Sequence, residues 1–167
     1  MKSHVSLRDF VTAVSRTAEK IFYKHGGLGP MWHYLDRDGT YHVHKAPNAD
    51  KDTSTAIMRA LLELVGATRC LFVDEAWIVA TKASDPDYET FIEEAKVKGV
   101  SDHPRRQEVI MFAAEDQREG FLMARCSIER LSSGKVKIGP LIIDERFDNM
   151  EGRLVGMLPK QPNERVQ

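Results

Sequence analysis

Apolar residues near the start of the chain recur three and four positions apart: Leu7, Phe10, Val11, Val14, Ala18, Ile21 and Phe22. That spacing lines one face of an α-helix. Ser6-x-x-Asp9 stands just ahead of it and can accept an orphan N–H of the first turn. "HGGLGP" ends the run, because glycine accepts the left-handed conformation that closes a helix. These signals predict a helix over about residues 7–24. The period then changes. Trp32, Tyr34, Tyr41 and Val43 alternate with more polar neighbours on either side of "DRDG", the pattern of a β-hairpin. A second helix follows from Asp52 or Thr53 to Val65, closed by Gly66. Its apolar residues cover much of its circumference, which marks it as the central helix, packed on a sheet.

"CLFVDEAWIVAT" reads as a strand over 70–81. Tyr88, Phe91, Ile92 and Ala95 mark a short amphipathic helix, opened by "SDPD" and closed by Gly99. After the loop "VSDHPRR" come three strands, "EVIMFAAE", "GFLMARCSIER" and "KVKIGPLII", separated by the turns "DQRE" and "LSSG". Pro140 cannot donate to a ladder, so the last strand is an edge or breaks there. "DERFDNMEGRLVGMLP" allows a further short strand around Arg153 to Met157. Strands joined by tight turns pair antiparallel, and inserted helices cover a face. The expected fold is α+β: a mostly antiparallel sheet of about five or six strands, two long helices on one face and a short inserted helix. The expected organisation is one domain over residues 1–158 and a flexible tail over 159–167. The two halves of the sheet either join edge to edge or stay apart.

The chain has 167 residues, 42% of them hydrophobic, with a formal net charge of -1. That composition suits a folded domain with a sizeable core rather than a disordered chain. A charge near zero with no basic run argues against a dedicated nucleic-acid binder, unless folding gathers Arg59, Arg105, Arg106 and Arg125 into one patch. Cys70 and Cys126 sit in predicted strands without ligand spacing and read as buried reduced thiols. "MKSHVSLRDF" has no apolar signal core and no stretch reaches transmembrane length, so the expected location is the cytoplasm, without a membrane partner.

Three of the six histidines fall within twelve positions, at His33, His42 and His44. Hairpin register decides whether they meet. A two-residue "DG" turn opposes His33 to His44, and a four-residue "DRDG" turn opposes His33 to His42. Either register puts the three imidazoles on one face and the aromatic residues on the other. A three-residue loop with a glycine bulge turns His33 away. Three neutral imidazoles on one side would suit a divalent metal such as zinc, with an open position for water. The plainer reading is the polar outer face of a half-buried hairpin, with Asp36 and Asp38 in solvent at its turn.

"FVDEAW" places Asp74 and Glu75 inside an apolar strand. Asp74 shares a face with Phe72 and Ala76, and Glu75 shares one with Leu71, Val73 and Trp77. A buried carboxylate needs a partner or shifts its pKa upward, and Arg125 is the natural partner. Glu75 and His103 are the candidate acid–base residues. Ser101, Asp102 and His103 make no relay, because consecutive side chains cannot aim at one another. That loop does offer His103, Arg105 and Arg106 to an anion. Glu115, Asp116 and Glu119 read as a solvated acidic turn. "SSGK" lacks the upstream glycine of a phosphate loop, and "DRDG" lacks the glutamate of a calcium loop. The glycines of "HGGLGP" follow a helix, not a strand, so they make no dinucleotide fingerprint.

"GVSDHPRRQEVIMFAAEDQREG" followed by "MARCSIER" resembles a segment of small uncharacterised bacterial and phage-associated proteins, over about "FVDEAW" to "GMLP". The resemblance implies a bacterial or viral cytoplasmic protein, and it carries no activity and no residue role. Two functional readings follow. One is a small non-catalytic binding or interaction module, with an exposed sheet edge that pairs with itself or with another protein. The other is a metal-assisted hydrolytic enzyme on the three-histidine hairpin, with Glu75 or His103 as acid–base partner.

Overall fold

The computed structural model describes residues 5–79, 84–100, 102–144 and 153–160. Helix α1 (Leu7–His25) starts where the capping signal predicts, with Ser6 Oγ accepting the Asp9 N–H at 3.0 Å. Gly26 closes it at φ 73°, its N–H donating to Phe22 O. The hairpin is β1 (Met31–Leu35) and β2 (Tyr41–Lys45). Helix α2 (Lys51–Leu64) begins slightly earlier than expected, because Asp50 rather than Asp52 or Thr53 is its cap and accepts the Thr53 N–H at 2.7 Å. There follow β3 (Arg69–Ile78), α3 (Tyr88–Lys98), β4 (Gln107–Asp116) and β5 (Gly120–Arg130). The last predicted strand breaks at Pro140 into β6 (Val136–Ile138) and β7 (Ile142–Asp144). Residues 153–160 form turns and bends, not the short strand anticipated there. Positions 80 and 81 of the predicted third strand and residues 161–167 of the anticipated tail lie outside the described residues.

The fold is α+β, and the two parts of the sheet do join edge to edge. The strand order is β2-β1-β3-β4-β5, with β6 and β7 both on the far side of β5, and every neighbouring pair is antiparallel. A chain leaving β2 must cross β1 to reach β3, and α2 makes that crossing.

The two long helices do not share a face. Along β3, Leu71 and Val73 pack with α1, while Cys70 and Phe72 pack with α2. Successive strand side chains point to opposite faces, so α1 and α2 lie on opposite sides of the sheet. The physical reason is the run "CLFV": four apolar residues in a row need cover on both faces. Beneath α1 the core holds Val11, Val14, Ala18 and Phe22 against Leu71, Val73, Ile110, Phe112 and Cys126. Beneath α2 it holds Met58 and Leu62 against Trp32, Tyr34 and Phe72, with Met157 and Leu158 completing it. Helix α2 is not surrounded, since it buries one stripe and leaves Ile57 and Leu64 exposed.

The turn between β4 and β5 is only partly the solvated acidic loop expected there: Glu119 is exposed, but Asp116 is buried. Arg69 is buried on the α1 face, and its Nε donates to Asp116 Oδ2 at 2.7 Å while Nη2 donates to Glu119 Oε1 at 3.1 Å. Nη1 donates to the carbonyl of Val5 at 2.8 Å, and Glu119 accepts the Leu7 N–H at 3.0 Å. Burial opposes ionisation of Asp116, but the Arg118 N–H and the Arg69 guanidinium hold its carboxyl below the ordinary value. This network ties the start of α1 to β3 and the β4–β5 turn.

Candidate functional site

The hairpin takes the register that separates the histidines. Leu35 pairs with Tyr41, His33 with Val43 and Tyr34 with His42. Residues 36–40 form the turn. Gly39 sits at φ 77° and donates to Asp36 O at 3.0 Å, and Asp36 N–H donates to Thr40 O at 3.1 Å. Left-handed Gly39 supplies the bulge that shifts pairing by one residue and flips one strand's faces relative to the other. His33 therefore faces α1 with Tyr41 and Val43. His42 and His44 face the other way, with Trp32 and Tyr34.

The three rings have separate environments. His33 is buried, with Nδ1 hydrogen-bonded to the Tyr41 hydroxyl and Nε2 without a hydrogen-bond partner. Burial lowers its pKa to about 4, so near neutral pH it is uncharged, and the Tyr41 O–H donates to Nδ1. Partial burial in turn raises the Tyr41 hydroxyl above its ordinary value. His42 stacks on Tyr34 at 4.9 Å and reaches Asp36 Oδ2 at 2.8 Å. Asp36 is thus not simply in solvent: its carboxyl lies below the ordinary value, first through His42 and then through the Thr40 N–H. His44 Nδ1 donates to the Lys45 carbonyl at 2.6 Å. Among the described residues no group of three His, Cys, Asp or Glu could hold a metal ion. The three-histidine zinc site is therefore not formed.

Glu75 and His103 are likewise engaged with backbone. Glu75 accepts the Leu28 N–H, and it lies so close to Gly27 that a Cβ there would sit 3.2 Å from Oε1. It therefore pins the loop that follows α1. His103 is buried edge-on against Phe91, its Nδ1 accepts the Arg105 N–H at 3.1 Å, and Nε2 lies 3.7 Å from Glu94. It is not presented to a ligand, and Ser101 lies outside the described residues. The four arginines have separate partners. Arg105 covers Phe91 and pairs with Asp87, Arg106 covers Trp77, Arg59 donates to the carbonyls of Arg153 and Val155, and Arg125 pairs with Asp144.

A concavity lies on the α2 face, where the sequence placed only an ion pair. The first turn of α2, the middle of β3 and β4, and Arg153–Leu154 enclose a cleft of about 270 Å³. Phe72, Ala76 and Met111 line it with apolar surface, and Asp74, Ser54 and Lys51 converge on it. Asp74 is 7% exposed. Its ionic partner is not Arg125 but Lys51, whose Nζ is 3.5 Å from Oδ2 and whose side chain is 65% exposed. Desolvation raises the Asp74 carboxyl above its ordinary value, and Lys51 opposes that shift. Ser54 is 5% exposed and has no hydrogen bond from its hydroxyl among the described residues, whereas the Thr55 hydroxyl is spent on the Lys51 carbonyl. Next along the sheet, desolvation raises Glu115 too, although it accepts the Met157 N–H at 2.8 Å. The cleft offers a hydrogen-bonding end and an apolar wall, which suits binding.

Both cysteines are unpaired and buried, and burial pushes their thiols up, Cys126 to about 11. Among the described residues no helix is long and apolar enough to cross a membrane. No model of a protein family, no curated protein and no solved structure matches this chain.

Proposed function

We propose that this domain is a non-catalytic interaction module that acts by strand pairing along β2, with a second copy of the same chain as its partner. The observation behind this reading is the hydrogen-bond phase of the hairpin. Ala46 N–H donates to Pro30 O at 3.0 Å and Asp36 N–H to Thr40 O at 3.1 Å. Bonded and non-bonded pairs alternate along an antiparallel ladder, so His42 and His44 bond back to β1. Tyr41, Val43 and Lys45 turn their N–H and C=O groups to the open side. An edge of this kind is a template for another strand. It is also apolar, with Tyr41 49% and Val43 53% exposed.

The register favours self-pairing. A two-fold axis through Val43 sets Val43 against its own copy and Tyr41 against Lys45, so no like charges oppose. Moving the axis to Lys45 would oppose two ammonium groups. The buried, unpaired thiols support a reducing, cytoplasmic setting for such a module.

Sedimentation of the full chain tests the reading. The wild type is expected to dimerise with rising concentration. Val43→Pro removes an outward N–H without costing a hydrogen bond to β1, so it should be monomeric with an unchanged circular dichroism spectrum. A wild type that stays monomeric at every concentration, or a folded Val43→Pro that still dimerises, overturns the proposal.

A further inference from the structure

The cleft beneath α2 calls for an explanation that packing does not supply. Position 74 follows Cys70 and Phe72 on the α2 face of a central strand, where an apolar side chain would be the ordinary occupant. The chain instead places a carboxylate there, beside the small side chain of Ala76, with space in front of it. A carboxylate withdrawn from water needs a donor. The one cation paired with Asp74 among the described residues is Lys51, at 3.5 Å on a largely solvated stem. The unpartnered Ser54 hydroxyl lines the same space. Asp74, Ser54 and Lys51 thus converge on a partly apolar pocket, a composition that suits a ligand site, and the Arg153 guanidinium that also lines it is paired with Asp52 at 3.0 Å.

We infer that this cleft binds a small organic amine or amidine, whose N–H groups reach Asp74 and Ser54 while its apolar body rests on Phe72 and Met111. Lys51 already shows the chemistry in miniature, as a tethered ammonium held loosely at the same carboxylate. A ligand cation at full hydrogen-bond distance displaces it and makes a charge-assisted contact in a drier setting, where such contacts are strong. Desolvation raises the Asp74 pKa and Lys51 opposes that shift, and a closer cation would oppose it further. Lys51 and Arg153 also line the cleft, but both are exposed and Arg153 is paired with Asp52, so the buried charge that a ligand meets is the Asp74 carboxylate, which favours a cation over an anion.

Benzylamine and benzamidine are the probes, with benzoate as control, titrated into the isotopically labelled full chain and followed by NMR. The expected result is saturable shifts at Ala46, Ala76 and Met111 with the two cations and none with benzoate. Asp74→Asn should weaken binding at least tenfold. Ala76→Leu, which fills the space without touching the charge, should abolish it. Lys51→Ala removes the internal competitor and should tighten it. If neither cation gives saturable shifts, if benzoate binds as well, or if folded Asp74→Asn binds benzylamine as tightly as the wild type, the inference is wrong.

Discussion

The two faces of the sheet are built from the same strands and finished differently. On the α1 face the apolar surface runs without a break from Leu28 across Leu71, Val73 and Phe112 to Ile138, and the Arg69–Asp116–Glu119 network closes one end. On the α2 face Trp32, Tyr34 and Phe72 are sealed by Met58, Leu62 and Met157, but the cover stops at Asp74. The contrast falls between neighbours: Val73 is core and Asp74 lines a cleft, and Phe112 is core where Met111 lines the same cleft. One face is spent on holding the fold, which leaves the other free to carry a concave site that packing would otherwise fill.

Substitutions can break this contrast in a graded way. The largest effect is expected at Arg69. Arg69→Met leaves Asp116 buried without its cation, and losing one partner of a buried pair costs about 3–5 kcal/mol. Urea denaturation should show that loss, and a midpoint near the wild-type value would mean the network holds nothing together. Next, Phe112→Ala should cost about 3–5 kcal/mol as a core deletion. Met111→Ala, one residue away at the cleft wall, should cost only about 1 kcal/mol. Equal costs would erase the distinction between the faces.

A smaller effect is expected from acid. The pKa of His33 is about 4 in the folded protein against 6.5 for an ordinary histidine. Between those values the unfolded chain takes up a proton that the native state refuses. The stabilisation is complete above pH 6.5 and is lost as pH falls towards 4, amounting to about 2 kcal/mol by pH 5. A His33→Phe variant should lack this part of the slope. Parallel pH–stability curves for the two proteins would contradict the assignment.

The residues announce the elements better than their arrangement. The spacing from Leu7 to Phe22 and the cap at Ser6 give α1 almost to the residue, because both are local. The hairpin is equally plain in Tyr41 and Val43, but its register depends on the conformation of Gly39. One residue of slip there reverses which side chains share a face, so the histidine trio rested on a parity that composition does not encode. That both faces of the sheet are covered could have been read from "CLFV", whose continuous apolar run leaves no side for water. The engagement of Asp116 and Glu119 was not legible, since their partner Arg69 lies far back in the chain. The same holds for Asp74, whose cleft is closed by Leu154 and whose cation comes from the start of α2.

The sheet's two ends also differ. Beyond β5 the boundary is cut at Pro140 into two three-residue pieces, and pieces that short are poor templates. Among the described residues the five-residue β2 is the one uninterrupted border. A body that can be extended from a single side has no propagating end. Under the proposed pairing, growth by that route stops at two, and crowding such molecules together enriches pairs without seeding fibres.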